Sequence, residues 1–187
     1  ISTDLVYQML RSFPKDTAAG PLALRVQHLL DSLTQANKTT VLEQLTEAVS
    51  LLARGESPSE VAPQLAGAEL MAVGKPAGGV RPVAVGEALR HLEGKCLCQL
   101  TKEKTQRLFW PLQVGVACPL GTACAIHTVR QWAERNSTRP NQVPLKLDFA
   151  NASNTVSRTE ALEELRINLP ELVRWAQWCY GDSTTLT

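Results

Sequence analysis

Apolar residues recur through the early part of the chain at helical spacing. Pro21 can open a helix that carries Leu22, Leu24, Val26, Leu29 and Leu30. Thr40-x-x-Glu43 has the form of a capping box, and Val41, Leu45, Val49 and Leu52 then share one stripe, so a second helix is expected up to Gly55. Ser57-Pro58-Ser59-Glu60 reads as another box, with proline at the first helical position of a short helix. The period then changes. Ala68 to Val73 and Val80 to Val85 are short apolar runs, and the Gly74-Lys75-Pro76-Ala77-Gly78-Gly79 segment between them predicts a β-hairpin loop. A helix is expected from Glu87 to Lys104, then irregular chain from Gln106 to Gly121 around Pro111 and Pro119. A helix from Thr122 to Arg135 should turn Ile126, Val129 and Ala133 inward. From Val143 to Phe149 the pattern alternates, with Leu145, Leu147 and Phe149 on one side and Lys146 and Asp148 on the other, which predicts a strand. Ser157-x-x-Glu160 opens a helix with Leu162 and Leu165, and Pro170 opens another that ends near Gly181. The order of helices, hairpin, helices, strand and helices is an α+β pattern, mostly helical.

Composition narrows the class. The 187 residues suit one domain, and 44% hydrophobic residues can build a core. Four Trp, two Tyr and three Phe leave that core to Leu, Val and Ala, which favours helices. Nineteen basic residues against eighteen acids leave a net charge of +1, so global charge does not announce a nucleic-acid binder. No apolar run reaches the roughly 18 residues of a membrane span. The chain begins at Ile1 without a leader, and Gly181 to Thr187 carry no helix cap or polar tail, so a processed product or a piece of something longer is expected.

Five cysteines, Cys96, Cys98, Cys118, Cys124 and Cys179, are an odd number and read as reduced thiols of an intracellular protein, cytoplasmic or nuclear. A zinc site from Cys96, Cys98, Cys118, Cys124 and His127 lacks the usual C-x2-C spacing, and one disulfide in a secreted product is the remaining alternative. His28, His91 and His127 read as ordinary helix residues, Trp175 and Trp178 as packing, and Glu163-Glu164 as a solvated face.

Two segments carry candidate chemistry. In Lys75-Pro76-Ala77-Gly78-Gly79-Val80-Arg81-Pro82 a lysine and an arginine flank a glycine-rich tip, a combination suited to phosphate oxygens. From Gly74 to Trp110 seven basic residues, Arg90 and Lys95 among them, stand against Glu87, Glu93 and Glu103, a local surplus of four. Read alone, this is also an ordinary polar hairpin with a solvated basic helix behind it. In Lys146-Leu147-Asp148-Phe149-Ala150-Asn151-Ala152-Ser153-Asn154-Thr155-Val156 an aspartate sits near the end of an apolar strand, where a carboxylate can hold a divalent metal or simply cap the next turn.

Together, in this order, the two segments resemble the reverse transcriptase family of retrotransposon and cellular type. The K-P-x-G-G-x-R-P run looks like its fingers hairpin, and L-K-L-D-F-x-N-A-x-N-T-V like its first palm motif. Gly20-Pro21-Leu22-Ala23-Leu24-Arg25 resembles an early helix of these enzymes, and Gln113-Val114-Gly115-Val116 the element before the palm. The resemblance runs from about Ala19 to Tyr180. It implies a single truncated domain over 1–187: a helical part over 1–67, a fingers-like hairpin and helices over 68–135, and a partial palm over 136–187. It implies that Lys75 and Arg81 contact a nucleoside triphosphate, with Phe149 and Ser153 beside the nucleotide. Asp148 would be the catalytic metal ligand, binding Mg²⁺ or Mn²⁺ during in-line attack of a primer 3′-oxygen, and Arg90 and Lys95 would meet nucleic acid.

The chain departs from the family where it matters most. Ser153 stands where an aromatic commonly blocks the ribose 2′-hydroxyl, Ala77 stands where glycine is common, and Pro21-Leu22-Ala23 replaces Pro-Ser-Gly. None of Asp4, Asp16, Asp31, Asp148 and Asp182 is adjacent to another, so the family's second metal motif, aromatic-x-Asp-Asp, is missing. The expectation is a reverse-transcriptase-like fragment that does not polymerise alone. The alternatives are a non-catalytic nucleic-acid or nucleotide binding module, or a remnant repurposed for protein–protein or ligand binding. A homodimer or partner chain could cover the incomplete palm.

Overall fold

The computed structural model describes residues 1–76, 78–149, 152 and 155–181. Among them the chain is α+β: mostly helical, with one two-stranded antiparallel hairpin. It divides into two units, one formed by Ile1–Gln99 with Arg158–Thr187 and one by Leu100–Ser157.

The first unit opens with α1, Thr3–Arg11, capped by the Ser2 hydroxyl, which accepts the Leu5 N–H at 3.3 Å. Its apolar positions Val6, Met9 and Leu10 are buried. The helix expected from Pro21 starts only at Val26, as α2, Val26–Asp31. A turn takes its place: the Ala23 N–H bonds the Gly20 carbonyl, and Ala23 has a left-handed φ of 57°. Helix α3, Lys38–Ala53, begins ahead of the Thr40 box, because Asn37 and Thr34 hold the turn before it. It buries Leu42, Val49 and Leu52 and stops where Gly55 turns to a φ of 60°. A Cβ on Gly55 would stand 2.6 Å from the Arg174 carbonyl, so geometry and space both require glycine. A 3-10 turn at Ser59–Val61 leads into α4, Ala62–Leu65, with Pro58 rather than Ser57 at the cap.

Strands β1, Ala68–Gly74, and β2, Val80–Gly86, pair in the register Ala68↔Gly86 through Gly74↔Val80. Helix α5, Ala88–Phe109, follows, and the unit boundary falls within it. After the second unit the chain returns in α7, Arg158–Asn168, a 3-10 turn at Pro170–Leu172, and α8, Val173–Tyr180. Val6, Leu10, Val49, Leu92 and Cys96 form one core cluster, and Ala53, Leu97, Leu169 and Leu172 a second. Full burial of each Leu or Val side chain contributes about 1.5–3 kcal/mol.

The second unit contains α6, Gly121–Arg135. Ile126 and Val129 are 47% and 58% exposed, and Ala133 is exposed too, so the predicted inward stripe faces solvent. The strand expected over Val143–Phe149 does not form; this stretch has no regular structure, and Val143, Leu145, Leu147 and Phe149 are all strongly exposed. Alternation by itself does not make a strand. A strand needs a neighbour to take its N–H and C=O groups, and the one sheet among the described residues is the hairpin. The palm strand of the sequence reading is therefore absent there.

Candidate functional site

The hairpin holds the first pair of candidate residues. Lys75 donates its backbone N–H to the Gly79 carbonyl and accepts the Gly78 N–H, each at 3.0 Å, which closes the tip. Gly78 and Gly79 have φ of 88° and 90°, a backbone region that side chains disfavour. A Cβ at either position would touch nothing within 4 Å, so conformation alone selects glycine. Val73 pairs with Arg81, and Lys75 lies two residues beyond Val73, so strand alternation sets Lys75 and Arg81 on one face. Both are exposed. Leu70, Met71, Val73, Val80 and Val83 are exposed as well, so the arm is bare on both faces beyond its base at Ala68 and Gly86.

Arg90, in the first turn of α5, and Lys95, about two turns in, are partly buried and tied into the first unit. The Arg90 guanidinium donates to the Ala66 carbonyl at 2.6 Å and lies 5.1 Å over the centre of the Tyr180 ring. The Lys95 ammonium donates to the Ser12 carbonyl at 3.3 Å and lies 4.4 Å over the Phe13 ring. The charge count behind their selection treats every charged residue as solvated. Two of the three acids in that segment, Glu87 and Glu93, are buried. With Arg90 and Lys95 tied in as well, Lys75, Arg81, Lys102, Lys104 and Arg107 stand exposed against Glu103, so the surplus that faces water is still four.

Asp148 and Phe149 belong to the second unit, both exposed on the unpaired stretch. Ser153 lies outside the described residues. Among the described residues no three His, Cys, Asp or Glu side chains gather as a metal site, which covers the cysteine and histidine set as well as Asp148. A magnesium pair in nucleotidyl transfer needs carboxylates placed together. Asp148 joins no group of three such side chains among the described residues, and the sequence has no Asp-Asp pair, so that requirement is not met there. All five cysteines are free thiols, with Cys96 and Cys179 buried.

Sequence reasoning missed Glu93. It is fully buried on α5, and neither carboxylate oxygen has a hydrogen-bond partner; the Trp175 indole nitrogen beside it has none either. Burial pushes its carboxyl up to about 8, against a smaller opposing pull from Arg90 and the nearby Trp175 indole. Glu93 is thus a neutral acid at pH 7. Burial likewise pushes the Cys96 and Cys179 thiols up to about 11. Its sequence signal was weak, a glutamate between Leu92 and Gly94, one residue after an apolar position. Among the described residues no helix is long and apolar enough to cross a membrane. No family model, no curated protein and no solved structure matches this chain.

Proposed function

We propose that this chain carries the fingers and first palm segments of a reverse-transcriptase-like nucleotidyltransferase, and that by itself it grips nucleic acid or a nucleoside triphosphate without completing phosphoryl transfer. The observation that carries this reading is the hairpin tip. A lysine and an arginine stand exposed on one face of an arm whose turn is made of glycines, so phosphate oxygens can approach both cations and the backbone. A second reading, a binding module with no chemistry, is favoured by the sequence's lack of an Asp-Asp pair and by the absence, among the described residues, of any group of three metal-ligating side chains.

The test is a gel-shift titration with single-stranded RNA and DNA across salt concentrations. Binding should be weak, with Kd on the order of 10⁻⁴ to 10⁻⁶ M. If about three cations reach phosphates, the slope of log affinity against log salt is roughly −2 to −3, each neutralised phosphate contributing about −0.7 to −0.9. Lys75→Ala combined with Arg81→Ala should lower both affinity and slope, whereas Arg135→Ala should change neither. Undetectable binding at about 50 mM salt, or a double variant that binds like the parent, overturns the reading.

A further inference from the structure

A cleft of about 840 Å³ opens in the first unit between the Phe13–Thr17 loop, the base of the hairpin, α5 and α8. That volume is within the range of small-ligand sites, roughly 300–1,000 Å³. Its lining is charged in one sense. Lys15, Arg90 and Lys95 face a single carboxylate, Asp16; the His91 imidazole beside them, held below its ordinary value by burial and by Arg90, adds a neutral polar contact. Its other walls are aromatic: Phe13, Trp175 and Tyr180. An open space with several cations and rings matches a ligand that is planar at one end and anionic at the other.

Two of the cations, Arg90 and Lys95, are held in place before any ligand arrives. Arg90 uses one of its five N–H donors on the Ala66 carbonyl, and its position over Tyr180 fixes the guanidinium plane. Lys95 uses one of three donors on the Ser12 carbonyl. Each keeps donors to offer. Heads already ordered lose less entropy on binding than free surface lysines do. Tyr180 meets Trp175 edge to face at 6.3 Å, which makes an aromatic corner, yet the tyrosine remains 42% exposed and can take a second ring. Gly86 and Gly94 also line the space, and their lack of side chains leaves room in it.

We propose that this cleft binds a nucleotide unit, its phosphate among Lys15, His91, Arg90 and Lys95 and its base against the Tyr180 and Trp175 rings. The unit is either a free nucleoside monophosphate or one link of a single strand. The site is separate from the hairpin tip. Ala68, Ala84 and Gly86 line the cleft from the strand face opposite to the one that carries Lys75 and Arg81. The proposal therefore stands whether or not the tip binds phosphate.

Calorimetric titration of the whole chain with AMP, adenosine, inorganic phosphate and a single-stranded octanucleotide tests it. AMP should bind saturably with a Kd of about 1 mM or better. Adenosine and phosphate should each bind at least tenfold more weakly, because each reaches half of the site. Lys15→Ala, on an exposed loop, and His91→Ala should each weaken AMP about threefold to tenfold, in line with about 1 kcal/mol for an ordinary hydrogen bond. Glu163→Gln should leave it unchanged. Equal melting temperatures for parent and variants would exclude unfolding as the cause. An octanucleotide that binds more tightly than AMP, with the same dependence on Lys15, identifies a strand as the source; equal affinities identify the free nucleotide. Three results overturn the proposal: no saturable AMP binding up to about 10 mM, some tenfold above the expected Kd; phosphate as tight as AMP; or cleft variants that bind like the parent. Loss of gel-shift activity with intact AMP binding counts against the hairpin reading and not against this one.

Discussion

The buried Glu87 carboxylate accepts the backbone N–H of Leu22 at 2.6 Å, joining the Gly20–Ala23 turn to the junction between the hairpin and α5. The approach is close enough that a Cβ on Gly20 would stand 2.8 Å from the same carboxylate oxygen and from the Gly86 carbonyl. This contact explains why the turn replaces the helix expected from Pro21. Glu87→Ala leaves the Leu22 N–H without its partner and should cost about 1.5–3 kcal/mol, the range for a hydrogen bond to a charged group. Thermal unfolding followed by circular dichroism at pH 7 reads it, and an unchanged melting temperature refutes it.

Glu93 should make stability depend on pH. Its carboxyl in the folded chain is raised to about 8, whereas an unfolded glutamate titrates near 4.3. Between those values the folded chain holds a proton that the unfolded chain has released. Stability from this group is therefore fully present below about pH 4.3, declines as pH rises, and levels off above about 8. Glu93→Gln removes that slope. The melting temperature of the parent, minus that of the variant, should fall from pH 5 to pH 8. A constant difference across that window would show that Glu93 does not titrate there.

The thiols should react in two classes. Cys98 is exposed, whereas Cys96 and Cys179 are buried and stay protonated because burial pushes them up to about 11. With a chromogenic disulfide reagent at pH 8, Cys98 should react first, and Cys96 and Cys179 only after denaturant is added. Peptide mapping after a short pulse with a mass-tagged alkylating agent assigns them. Early labelling at Cys179 would contradict the packing of α8.

Primer extension by this chain should be undetectable with either Mg²⁺ or Mn²⁺, because the sequence has no Asp-Asp pair and no group of three metal-ligating side chains forms at Asp148 among the described residues. Template-dependent extension that disappears in Asp148→Asn would refute this, and would mean that another acid or another chain completes the site.

The hairpin was legible because its signal is local: glycines and a proline between two apolar runs specify a turn without help from the rest of the chain. Helix α5 and the α7–α8 pair were legible for the same reason. Val143–Phe149 was misread because alternation describes one strand and pairing needs two. Ile126, Val129 and Ala133 were misread because periodicity marks an apolar stripe without saying what covers it. The cleft was half legible. Local charge picked out Arg90 and Lys95, but Phe13, Trp175 and Tyr180 lie far away in sequence and meet them only through the fold. Glu87 and Glu93 were counted as solvated charge, since nothing in a linear count separates a buried carboxylate from an exposed one.

The bare hairpin arm has a further consequence. Since the residues beyond its base are exposed, its amide protons are guarded chiefly by their own ladder. The arm can unzip from Lys75 and Gly79 toward Ala68 and Gly86 while the helical cores stay shut, and isolated two-stranded hairpins are marginal in water. Its deuterium uptake should run well ahead of that of α1, α3 and the first turns of α5. A phosphate chain that bridges Lys75 and Arg81 would clasp both strands at once, slow that uptake, and so report its own arrival from amides it never touches.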